Sequence, residues 1–187
     1  MGYNLLNRYK SLDYNNHSMN FKTIAIGVII FLIGLIAVIA APIYYPNYST
    51  INHVYANNEN IVTVKPYAQY IVKTIQITPK NNSVIFFVVD SNANVSIYNS
   101  SNFKELGNAQ GEIGLQLTPG KYDLVVINDE NSSQEIKYTY GIFPSSYING
   151  FYYGLSIYDE VMEIVALAGA AIAIIALLQE LLSRRRK

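Results

Sequence analysis

At 187 residues, with neither Cys nor Trp, the chain has room for one modest domain and its appendages. The lack of Cys excludes disulfides, thiolate metal centres, iron–sulfur clusters and thiol nucleophiles. It does not exclude an extracytoplasmic domain, because sandwich folds stand without bridges. Formal net charge is zero, but its distribution is uneven. Arg8, Lys10 and Lys22 face only Asp13 near the start, and Arg184, Arg185, Arg186 and Lys187 close the sequence. Residues 45–160 hold six Lys/Arg against ten Asp/Glu, a net of −4. Basic ends around an acidic middle point to a membrane topology rather than to nucleic acid.

Residues 1–22 read as a cytoplasmic tail. From residue 23 to residue 44 the sequence is uncharged and mostly aliphatic, "TIAIGVIIFLIGLIAVIAAPIY". As a helix it spans roughly 33 Å at about 1.5 Å per residue, enough to cross a hydrocarbon core. The rival reading is a signal peptide cut near Ala40. The apolar run is longer than a signal core of about 7–15 residues, which favours a retained anchor. Pro42 and Pro46 discourage continuation of the helix. Residues 45–59 then read as a tether carrying His53.

Residues 60–143 read as successive strands, about seven, at sandwich-like spacing. They fall at 61–64, 67–78, 84–90, 94–99, 113–117, 122–128 and 136–142. In 67–78 the alternation shifts phase around Lys73, as a bulge would cause. "VIFFVVD" at 84–90 is continuously apolar and reads as a central strand. Pro119 and Gly120 suit the two central positions of a type II turn, with Gly120 at positive φ. "NDENSS" reads as a polar hairpin loop.

Residues 144–160 form an aromatic interfacial linker, with Phe151, Tyr152, Tyr153 and Tyr158. Residues 161–182 read as a second membrane helix and 183–187 as a basic cytoplasmic tail. Within that helix Glu163 and Glu180 lie near the ends, and Glu180 is spaced i, i+4 from Arg184. The positive-inside rule then places both termini in the cytoplasm and residues 45–160 outside.

Both helices carry small residues at helical spacing. The first has Gly27, Gly34 and Ala37, continued by Ala41. The second has Ala166, Gly169, Ala170 and Ala173, continued by Ala176. Such faces let backbones approach closely in lipid, within one chain or between chains. The partners expected are the bilayer and other membrane chains, with no nucleic acid.

Candidate N-glycosylation acceptors occur at Asn47, Asn81, Asn94, Asn99 and Asn131. Asn16 forms a further sequon on the expected inner side. Seventeen Tyr residues raise the thought of carbohydrate stacking, but Tyr44, Tyr45, Tyr48, Tyr147, Tyr152, Tyr153 and Tyr158 suit an aromatic belt at the headgroups. The two histidines, His17 and His53, lie apart from any "GxSxG", and there is no phosphate loop or "HExxH". Asp129, Glu130 and Asn131 offer oxygen ligands at a spacing that matches no EF-hand. No catalytic residue, cofactor or metal is therefore assigned.

"ITPKNNSVIFFVVDSNANVSIYNSS", followed by "GLQLTPGKYDLVVINDENSSQEIKYTYGI", resembles the GOLD (Golgi dynamics) domain of membrane-anchored cargo receptors. The matching residues are Gly120, Tyr122 and Asn128. The cysteine pair usual in those receptors is missing. Secreted pre-peptidase C-terminal-type sandwiches end similarly to "PGKYDLVV". The resemblance covers residues 60–142 and implies a sandwich that binds or displays something.

The sequence thus specifies a membrane-anchored all-β protein, a small antiparallel β-sandwich flanked by two transmembrane α-helices. The expected role is non-catalytic display for interaction or assembly at the cell membrane. Alternatives are an accessory subunit of a membrane enzyme or transporter, a GOLD-like cargo or ligand receptor, and a viral envelope protein.

Overall fold

A computed structural model describes residues 3–89 and 91–185, with side chains from Phe21 onward. Arg8, Lys10, Asp13, Asn16, His17, Asp90, Arg186 and Lys187, each used in the sequence reading, lie outside the residues whose side chains are described. The chain divides into two units, one of residues 1–45 with 154–187, the other of residues 46–153.

The first unit is helical. Helix α1 runs Tyr3–Tyr44, so its helical structure begins well before the apolar segment and takes in much of the expected tail. It admits Pro42 within its last turn. Helix α3 runs Ser145–Arg185, and residues from Gly154 onward belong to this unit. Phe21–Tyr44 and Ser145–Arg185 are each long and apolar enough to cross a membrane. Only 17% and 11% of their most apolar windows are buried.

The second unit holds eight strands rather than about seven, in two antiparallel sheets of four. They are β1 (Asn60–Val64), β2 (Ala68–Ile77), β3 (Ser83–Val89), β4 (Asn94–Asn99), β5 (Lys104–Gln110), β6 (Glu112–Gln116), β7 (Gly120–Asn128) and β8 (Gln134–Phe143). One sheet has the order β1-β8-β3-β6 and the other β2-β7-β4-β5. This order, two interlocked Greek keys, is that of a jelly roll. The inward faces contribute Ile75, Ile77, Val84, Phe86, Val95, Ile97, Leu124, Val126 and Ile136 to one continuous core.

The strand missing from the sequence reading is β5, "KELGNAQ". As an edge strand it pairs only with β4 and buries little, so it has no apolar alternation to betray it. The phase shift around Lys73 is a register break in the β2–β7 pairing between Ile71 and Lys73. Interior strand β3 is buried on both faces, which explains its unbroken apolar run: Val84 and Phe86 meet the core, and Phe87 meets Tyr55.

Tyr55 belongs to helix α2 (Tyr48–Asn57), which occupies most of the expected tether. Asn47 precedes it in a left-handed conformation, φ 65°, which Asn tolerates better than most residues. Ile51 and Tyr55 bury one stripe of α2, and Thr139 Oγ1 donates to Tyr55 O at 2.5 Å. The expected aromatic linker is also helical, forming the start of α3. With three helices beside its strands the protein is not all-β.

The expected type II turn is corrected. Gly120 does not have positive φ; it is the first residue of β7, paired with Ile77. Pro119 precedes the strand, and Tyr122 secures the corner by donating its hydroxyl to Thr118 O at 2.9 Å. Among the described glycines, Gly111 between β5 and β6 is the left-handed one, at φ 79°.

Candidate functional site

In the helical unit, α1 and α3 meet along a seam of small residues. A Cβ on Gly27 would stand 2.5 Å from Ala173 N and 2.8 Å from Gly169 O. One on Gly34 would stand 2.6 Å from Ala166 N and 2.7 Å from Met162 O. One on Gly169 would meet Gly27 O at 2.7 Å and Phe31 N. These neighbours are backbone atoms, so the helices pack closely only because the side chains are absent. The contacts fall seven residues apart on each helix in opposite directions, as an antiparallel pair requires. Ala41 and Ala176 are buried, while Ala37, Ala166, Ala170 and Ala173 are half-buried.

Ala37 also contributes its carbonyl, which accepts from Tyr44 at 2.5 Å and from Tyr158 at 3.2 Å. The hydroxyls of Tyr44 and Tyr158 are themselves hydrogen-bonded, and Tyr45 packs against the Tyr158 ring. Glu180 accepts from Arg184 Nε at 2.9 Å, the pairing its i, i+4 spacing allows.

In the β unit, a second tyrosine group joins α2 to the start of α3. Tyr55 and Tyr152 are hydrogen-bonded at 2.9 Å, and Tyr48 packs on Phe151. Burial, with the Tyr152 hydrogen bond second, raises the Tyr55 hydroxyl pKa well above the usual tyrosine value. Hydroxyls set on apolar rings in this way satisfy one another instead of water.

Asn128 of β7 uses both ends of its side-chain amide. It is buried, and its amide donates to Val64 O, Lys65 O and Ser132 O at 2.8–3.1 Å. Its Oδ1 accepts from Glu130 N at 3.0 Å. One residue thereby ties the β1–β2 connection to the β7–β8 loop. Beside it Asp129, Glu130, Ser91, Asn92 and Glu135 line a polar hollow of about 280 Å³. Asp129 Oδ2 accepts from Asn94 Nδ2 at 2.6 Å. Among the described residues no three His, Cys, Asp or Glu side chains gather as a metal-holding group. His53 is exposed on α2.

The sequon asparagines differ in setting. Asn81 and Asn131 are exposed in turns, whereas Asn47 is the left-handed residue before α2. Asn99 is half-buried at the end of β4, where its Oδ1 accepts from Ser101 N. Asn94 starts β4, and its sequon serine, Ser96, is fully buried, 2.8 Å from Glu105 Oε1 and from Gly107 O.

The sequence reading missed a groove of about 340 Å³ in the β2-β7-β4-β5 sheet. Asp123 and Val125 of β7 line it, with Tyr98 of β4 and Gln69 and Ile71 of β2. Phe103, from the β4–β5 loop, completes the wall and is 73% exposed at φ 54°. Asp123 is buried and accepts from Thr74 Oγ1 at 2.6 Å. Its position inside "KYDLVV" shows the period of a strand but not what the outer face gathers from three other segments.

No family model and no curated protein matches the chain. Among solved structures, it is similar to PliG of Aeromonas hydrophila, a periplasmic inhibitor of g-type lysozyme. Identity is 15% over 46% of this chain and 82% of that one, with a TM-score of 0.34. PliG of Salmonella Typhimurium gives 12% identity over 45% and 88%, with a TM-score of 0.32. A de novo designed double-stranded β-helix gives 15% over 44% and 97%, with a TM-score of 0.28. Likeness at this level carries no argument about function.

Proposed function

We propose that the protein is a two-span membrane protein that displays its jelly-roll unit outside the membrane for interaction or assembly, without catalysis of its own. The observation that carries the reading is the exposed apolar surface of both long helices. Ile39 and Ile43 on α1 are 70% and 85% exposed, and Leu167 on α3 is 70% exposed. A helix from the core of a soluble protein buries such residues; a helix in lipid leaves them outward. The seam of glycines and alanines between α1 and α3 supports the same reading, since it offers close packing where hydrophobic burial gives no drive.

The charge distribution supports cytoplasmic termini. Lys22 flanks the start of the first apolar segment and Arg184 and Arg185 the end of the second. The test is thiol labelling in intact cells of a chain that has no native Cys. Ser132→Cys should react with a membrane-impermeant reagent, while Ser11→Cys and Ser183→Cys should react only after permeabilisation. Reaction at Ser11→Cys in intact cells would overturn the topology, and release of the protein by alkaline carbonate would overturn the spanning.

A further inference from the structure

Phe103 is a large apolar residue left in water and held at positive φ, a conformation that bulky residues rarely adopt. Its loop is nonetheless tightly specified. Phe103 N donates to Asn99 O at 2.8 Å, Ser101 N to Asn99 Oδ1 at 2.9 Å, and Lys104 N to Asn102 Oδ1 at 3.1 Å. Ser100 N adds a bond to Lys121 O at 3.1 Å, fixing the loop to β7. The fold thus spends ordered polar contacts on keeping a phenyl ring at the groove.

Beside that ring lies Asp123, buried on an interior strand. Thr74 satisfies its Oδ1, and among the described residues no cation lies within ion-pair distance of the carboxylate. A buried carboxylate without a counter-charge is costly, and its complement is a cation. The remaining wall is the β2 segment around Gln69 and Ile71. Strand β2 is an edge strand that pairs only with β7, so its backbone around Gln69 and Ile71 has no second partner strand and can take an added one.

We propose that this groove receives an arginine side chain presented by an extended segment of a partner chain. A guanidinium fits each wall by a different property. Its plane stacks on aromatic rings such as Phe103 and Tyr98, and its fork of donors meets a carboxylate. A volume of about 340 Å³ is at the small end of ligand sites, suited to one long side chain. The extended backbone of the same segment pairs with β2. The acidic excess of residues 45–160 favours approach of a basic partner. The proposal rests on the display reading above and names the chemistry of what is bound. Its test reads only the groove, so its failure leaves the topology experiment intact.

The experiment is calorimetric titration of the full chain in detergent micelles. The probes are acetyl-Val-Arg-Val-amide, its counterpart with neutral citrulline, and acetyl-arginine-amide. Saturable binding of the arginine tripeptide is expected, weakened at least tenfold by the citrulline exchange and by Asp123→Asn. Asparagine keeps an acceptor for Thr74, so the fold is retained. Phe103→Ala, on an exposed loop, should weaken binding at least fivefold. The single residue should bind at least tenfold more weakly than the tripeptide. No saturable binding, equal binding of the citrulline peptide, or indifference to both substitutions would overturn the proposal. Equal affinity for acetyl-arginine-amide and the tripeptide would overturn presentation by an extended segment.

Discussion

Replacing Gly169 by isoleucine should part the two long helices. A Cβ there lies 2.7 Å from Gly27 O and closer still to Phe31 N, whereas ordinary contact begins at 3.4 Å, so the backbones must separate by at least about 0.7 Å. A gap of that size forfeits about a quarter to a half of each nearby dispersion contact, each worth ~0.1–0.2 kcal/mol. Over roughly 50 atom pairs, about what one buried leucine makes, the loss is about 1–5 kcal/mol. Helix propensity returns at most about 1 kcal/mol when glycine is removed. The net expectation is a loss of about 2 kcal/mol for Gly169→Ala and more for Gly169→Ile, whose longer side chain cannot retreat from backbone atoms. Tyr44→Cys and Tyr158→Cys introduce the only thiols, at residues whose hydroxyls touch in the parent. Cross-linking them with a short bifunctional reagent should yield an intramolecular bridge that Gly169→Ile reduces several-fold. Gly150→Ile serves as control, because nothing lies within 4 Å of a Cβ at Gly150. Equal bridge yields in the parent and in Gly169→Ile would refute the reasoning, and the small residues would then be composition only.

Two further outcomes concern the β unit. Gly111→Val should destabilise it by about 1–3 kcal/mol, because a β-branched residue at positive φ is strained, whereas Gly120→Val should cost under about 1 kcal/mol at a strand position with ordinary clearance. Thermal melting compares the pair, and a larger loss at Gly120 would restore the turn reading. Asn128→Ala strips partners from three carbonyls and one amide near the β7–β8 loop and should cost about 2–4 kcal/mol. Urea unfolding would measure it, and a loss below about 1 kcal/mol would mean that water replaces the amide.

The sequence by itself determined what depends on local period and composition. Two long apolar runs, one free of charge and the other ending in Arg184, specify helices whatever surrounds them. Alternation in "IKYTYGI" and the phase shift at Lys73 specify β8 and the break in β2 because side chains in a strand repeat every two residues. The spacing of Gly27, Gly34, Ala166, Gly169 and Ala173 marks a small-residue face because a helix repeats locally. Tertiary structure decided the rest. Strand β5 exists because β4 offers it a backbone ladder, not because its residues prefer one. Helix α2 is too short to hold itself and depends on burying Ile51 and Tyr55, the latter against Phe87 and Phe143 of the sheet. Gly120 was misjudged because Pro-Gly admits several backbones, and pairing with Ile77 selected the extended one. The groove at Asp123 was invisible because its walls come from β2, β4, β7 and the Phe103 loop, segments tens of residues apart. Only the strand order β2-β7-β4-β5 brings them to one face.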